Sequence, residues 1–298
     1  MAASTSARKH TSTDVSEFLT GLARGLAGAL LFALPMLMTM EMWNLGFYME
    51  RTRLLLLLVL NMPLLIFLSH RIGFEHTNCW SSSIRDAVVA YGMGIAASAA
   101  LLLILGVITP DMAPRQWVGM VAIQAVPASI GALLARSQLG IGTDDEDDGD
   151  DNDGEKADGG DGNIAQDGIS YAVELSMMAV GALFLSLNLA PTEEMILIAY
   201  KMTPWHTLAL VTISIGMMHG FVYALSFRGG HRLESGVPGW HALIRFTLPG
   251  YLVALCVSLY TLWTFERLDD TGITQIVLIV IVLGFPAAIG AAAARLIL

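Results

Sequence analysis

The chain has 298 residues, 55% of them apolar and 14% charged, with a mean hydropathy of +0.62. A soluble domain carries about a quarter charged residues, whereas this chain holds charge-poor runs of about 20 residues, the length that a bilayer core of ~30 Å demands. A soluble globular class is thereby excluded, and the formal charge of −10 belongs to one segment, because twelve of the 26 acids lie between Asp144 and Asp167.

Residues 1–20 form a polar N-terminal tail without the apolar core of a cleavable signal, so the first span is expected both to target and to stay. Eight spans follow, at 22–48, 54–69, 87–108, 117–135, 169–200, 205–227, 240–263 and 273–297, the fifth long and interrupted. The fold class read from this is all-α: a polytopic membrane helix bundle of about eight transmembrane helices, as two parallel four-helix repeats over 21–140 and 169–298. Residues 141–168 lie between the repeats. They are too acidic and Gly-rich to bury apolar area and read as an acidic, disordered cytoplasmic hinge. Calcium-loop spacing is absent from this segment. Cys79 falls in a loop and Cys256 in a span, so neither a disulfide between them nor a metal-ligand spacing is expected.

The duplication is carried by paired blocks in constant order. Residues 127–136, PASIGALLAR, match 286–295, PAAIGAAAAR; Leu68-Ser69-His70-Arg71 matches Leu225-Ser226-Phe227-Arg228; Thr39-Met40-Glu41-Met42 matches Thr192-Glu193-Glu194-Met195. Offsets drift only from 153 to 160, as small loop insertions produce. Four spans per unit make both units enter from one side, related by a pseudo-two-fold axis along the membrane normal. Eleven lysines and arginines fall on the side of the termini and five on the other. That bias predicts a multi-pass protein of the cell membrane with both termini and the hinge in the cytoplasm.

Ionisable groups inside spans are costly and mark function. Glu41 and Glu194 occupy equivalent positions, each two residues after a threonine (Thr39, Thr192), and Glu193 adjoins the second. Helix-disturbing residues precede them: Pro35 in the first span, Asn188 and Pro191 in the fifth. A proline frees backbone carbonyls, which together with carboxylates suit a cation or proton path. Pro191 also suits the start of a new half-helix with both glutamates in its first turn. His219 lies within the sixth span, where packing is its expected role and a proton relay the alternative.

TMEMWNLGF at 39–47, APTEE at 190–194 and the duplicated layout resemble a prokaryotic integral-membrane family catalogued only as a domain of unknown function. The resemblance implies no activity. Glu193-Glu194 followed by His219 is also similar to the first two motifs of CAAX-type intramembrane proteases. Ile198 stands where those proteases have arginine, and His241 is the only histidine offered by the last two spans.

The leading reading is a cation or proton channel or secondary transporter. Its pathway candidates are Glu41, Glu194, Glu193, Thr39, Thr192 and His219. The alternatives are a metal-dependent membrane enzyme around Glu193, Glu194 and His219, and a non-catalytic membrane partner subunit. No nucleotide-binding glycine-rich loop occurs, so no ATP-driven mechanism and no cofactor is expected. The expected partners are the bilayer and a small cation or proton, with no nucleic acid, and the sequence assigns neither a metal nor partner subunits.

Overall fold

A computed structural model describes residues 3–72, 80–139, 163–224 and 243–297, with side chains described within 20–70, 80–135, 171–221 and 243–294. The chain divides into two compact units, Met1–Asp148 and Gly149–Leu298. Unit 1 contains α1 (Ala3–Leu37), α2 (Met40–Tyr48), α3 (Arg51–Ile72), α4 (Trp80–Ile104) and α5 (Pro114–Leu139). Unit 2 contains α6 (Asn163–Leu189), α7 (Glu194–Lys201), α8 (Pro204–Ala224), α9 (Leu248–Thr264), entered through a π-helical turn at Leu243–Thr247, and α10 (Ile273–Ile297). No strand occurs among the described residues. The protein is a polytopic helical membrane protein.

Among the described residues, seven helices are long and apolar enough to cross a membrane: α1, α3, α4, α5, α6, α9 with its π turn, and α10. The sixth expected span coincides with α8, helical over 21 residues, a length of about 31 Å; the last residues of that expected span, 225–227, lie outside the described ones. Two boundaries differ from expectation. Helix α1 begins at Ala3, so the polar tail is continuous with the first span. Helix α6 begins at Asn163, inside the stretch read as a hinge, where Ile164 and Ala165 relieve the run of acids; the rest of the hinge lies outside the described residues.

Within each unit the last helix is the hub. In unit 1, 83% of the membrane stretch of α5 is buried, against 33% for α1, 28% for α3 and 39% for α4, because α5 packs on all the others. In unit 2, α10 packs on α6, α7, α8 and α9 in the same way. The hub meets the first helix of its unit through facing glycines. A Cβ at Gly28 would run into the Gly131 carbonyl and Ala135, and one at Gly181 into the Gly290 carbonyl and Ala294, all well inside 3.0 Å. Only glycine permits this backbone-to-backbone crossing. The two crossings stand 153 and 159 residues apart along the chain, within the offsets of the paired sequence blocks.

The ends of α4 and α9 also coincide. After α4, Gly106 stands at φ +69, its N–H reaching Leu103 O and the N–H of Val107 reaching Leu102 O. After α9, Glu266 stands at φ +60, its N–H reaching Trp263 O and the N–H of Arg267 reaching Leu262 O. Both are Schellman ends, which satisfy the last carbonyls by a left-handed residue. Unit 2 accepts glutamate where unit 1 uses the unstrained glycine.

The π turn before α9 has a local cause. Pro249 has no N–H to give the carbonyl of Arg245, and in lipid that carbonyl needs another donor. The Tyr171 hydroxyl supplies it at 2.8 Å, with its ring 5.9 Å from that of Phe246. Tyr171→Phe keeps the ring and strands the carbonyl. It should lower stability by about 1 kcal/mol, read as a modest fall in the thermal midpoint of the detergent-purified protein; an unchanged midpoint would remove this role.

Candidate functional site

In each unit a membrane helix stops and restarts. Helix α1 ends at Leu37 and α2 begins at Met40. Between them Thr39 is extended (φ −93, ψ 130), and both its N–H and its hydroxyl donate to Met36 O, the hydroxyl at 2.7 Å. Helix α6 ends at Leu189 and α7 begins at Glu194. Between them Thr192 gives its N–H and hydroxyl to Leu189 O, the hydroxyl at 2.8 Å. The two threonines therefore fold their chains back in the same way. They act as anchors of the break through side chains that are already bonded.

Pro35 sits inside α1 and does not itself break the helix; the interruption comes at Met38–Thr39, about one turn later. Asn188 lies in the last turn of α6, donating to Phe184 O at 2.8 Å, and its buried Oδ1 has no hydrogen-bond partner. Pro191 lies in the second break itself.

Glu41 is half-buried in the first turn of α2, and Glu194 is exposed in the first turn of α7. A carboxylate there complements the positive end of the short helix. Glu193, the cap residue before α7, is separated from Glu194 by its partner. Its Oε1 lies 3.9 Å from Arg267 Nη1, while Arg267 Nη2 donates to Pro191 O. The Arg267 side chain is 12% exposed and that of Glu193 79%. The guanidinium is therefore mainly a donor to the turn between α6 and α7, with Glu193 a loose counter-ion.

Unit 1 caps its break differently. Trp43 Nε1 donates to Leu37 O at 2.8 Å, so a neutral indole caps the last carbonyl of α1, whereas Arg267 reaches a carbonyl inside the second break. Arg267 was not a sequence candidate. It follows Glu266 in the polar run ERLDD and reads as an ordinary loop cation.

His219 is half-buried on α8, its Nδ1 3.1 Å from the Oγ1 of fully buried Thr247 in the π turn. It ties α8 to the start of α9. Among the described residues no three His, Cys, Asp or Glu side chains gather as a metal site. Glu193, Glu194 and His219 thus do not form the ligand set that the metal-enzyme alternative requires.

Two further polar groups lie deep in unit 1. Gln124 on α5 is fully buried and donates its amide to Ala33 O on α1; Asn61 on α3, 2% exposed, donates to Ser129 Oγ on α5 at 3.0 Å.

A family described as "Putative integral membrane protein (DUF2391)" matches residues 21–298. No curated protein and no solved structure matches the chain.

Proposed function

The chain belongs to the DUF2391 family of integral membrane proteins, and from that premise we propose that it is a cation or proton channel or secondary transporter, built from two parallel repeats with Glu41 and Glu194 lining its path. The observation that carries this reading is the repeated break: each unit interrupts a membrane helix and restarts it with a glutamate in the first turn.

The electrostatics favour positive charge. A bare half-helix N-terminus attracts anions, but here a glutamate offsets that end. The preceding helix meanwhile presents its carbonyl, negative end to the break. In unit 2 a guanidinium already donates to a carbonyl inside the break, which supports the same preference. Matching glycine crossings, Schellman ends and threonine turns support the duplication on which the parallel-repeat reading rests. The excess of lysine and arginine beside the termini supports a cytoplasmic location for both.

The test is flux. Purified full-length protein in liposomes should pass Na⁺, K⁺ or H⁺ above protein-free vesicles, read by ion-sensitive dyes. Flux of none of the three would end the transport reading.

A further inference from the structure

The short helices α2 and α7 are not needed to cross a membrane. The apolar stretches Thr20–Leu37 of α1, Arg51–His70 of α3 and Tyr171–Leu189 of α6 are each about 27–30 Å long, enough to span a bilayer core. Helices α2 and α7 are surplus to that length, and their direction can be read from contacts along the hub helices.

In unit 1, α1 and α5 run antiparallel: Gly28 meets Gly131, and further along Ala33 O accepts from Gln124. Gly46 of α2 then meets Gly119 of α5 backbone to backbone. From Gly131 to Gly119 is about 18 Å along α5, and α1 from Gly28 to Leu37 covers about 13.5 Å of it. The chain from Leu37 to Gly46 therefore advances only about 4.5 Å, where a continuing helix would advance another ~13.5 Å. Helix α2 turns across α5, steeply off the axis of α1. It does so about 7.5 Å from the start of α5 at Pro114.

Unit 2 turns in the same sense. Met202 and Pro204, just past α7, line one groove with Thr274 and Leu278 in the first turns of α10. Thr274 is about 24 Å along α10 from Gly290, and α6 from its crossing at Gly181 to Leu189 covers about 12 Å of that. The chain from Leu189 to Met202 thus advances about 12 Å or less, where a continuing helix would advance ~19.5 Å.

The side chains sort as helices lying along a surface require. On α2, Met42, Leu45 and Gly46 face the protein. To one side of them lie Met40, Trp43 and Phe47, at i, i+3 and i+7, and to the other Glu41, Asn44 and Tyr48. On α7, Leu197 and Tyr200 share one side, and Glu194, Ile198 and Lys201 the other. Met40, Phe47, Leu197 and Tyr200 are all exposed. This apolar surface runs on from Leu31 and Leu34 of α1 and into Trp205 and Leu208 of α8, which are exposed on helices in contact with lipid.

We infer that α2 and α7 lie in the plane of the membrane, docked on the boundary between lipid headgroups and acyl chains. Met40, Phe47, Leu197 and Tyr200 insert among the lipids, and Glu41 and Glu194 turn toward water. The depth of α2 along α5 matches the ~5–10 Å to which interfacial amphipathic helices sink. Tyr200 and Trp205 are the residue types of the aromatic belt at that level. The inference stands apart from transport; joined to it, it sets the two glutamates at the mouth of the path.

The test is the depth of spin labels on full-length protein in liposomes, in a background of Cys79→Ala and Cys256→Ala. Labelled cysteines are placed singly two turns apart, Met40→Cys and Phe47→Cys on α2, Glu194→Cys and Lys201→Cys on α7. Exposure to oxygen against a water-soluble nickel chelate reads each depth. Each pair spans about 10.5 Å of helix. In-plane helices give the two labels of a pair depths within about a third of that, close to the headgroups. A step of about 10 Å within either pair would mean a helix along the membrane normal and overturns the inference. Equal depths with the labels open to the chelate and closed to oxygen overturn it too, since the helices would then lie in water. If the cysteine-free background does not fold, the same cysteines are placed in the wild-type chain and its own label signal is subtracted.

Discussion

Gly290→Leu should leave little folded protein. A side chain there meets the Gly181 backbone carbonyl, well inside contact distance, and then the Leu185 side chain. Backbone cannot yield as a rotamer does, so the cost belongs at the top of the overpacking range, about 3 kcal/mol or more. Gly28→Leu should fail comparably in unit 1, since it drives into the Gly131 carbonyl. Gly216, with nothing within 4 Å of an added Cβ, is the control and should tolerate leucine far better. Monodispersity after detergent extraction, together with the thermal midpoint, reads the outcome. A Gly290→Leu protein as stable as wild type would mean that the hub helix does not cross its neighbour as described.

Arg267→Leu should be the costliest single change at the second break. It removes the donor from Pro191 O and leaves Glu193 without its counter-ion. The loss should be about 2–3 kcal/mol, nearly all of it from the stranded carbonyl. Glu193→Gln should cost under ~1 kcal/mol, because that side chain is largely exposed and the contact is solvent-screened. Arg267→Lys should recover only part of the loss, since an ammonium cannot present the guanidinium fork. Denaturation midpoints of the three variants test this order. Equal stability of Arg267→Leu and wild type would strip Arg267 of its donor role.

The membrane class and the interrupted fifth span were legible because they depend on local composition. The breaks were legible only approximately. Pro35 drew attention as the obvious disturbance, but a helix accommodates proline by losing one hydrogen bond, and Thr39 stops the helix by bonding back to Met36 O. Arg267 was illegible because its partner, Pro191, lies 76 residues away. Gln124 and Asn61 were visible as amides in apolar spans, but their meaning depends on contacts 91 and 68 residues distant.

The most direct test of the paired-carboxylate path is flux through liposomes containing Glu41→Gln or Glu194→Gln beside wild type. Glu50→Gln is the control, an exposed carboxylate already held by Arg53 at 3.0 Å. Each glutamine keeps shape and hydrogen bonding while removing charge, so the midpoints should stay close to wild type. Flux should fall about tenfold or more in both variants, equivalent to at least ~1.4 kcal/mol of lost stabilisation along the path, and Glu50→Gln should match wild type. Wild-type flux in both Glu41→Gln and Glu194→Gln would contradict the account.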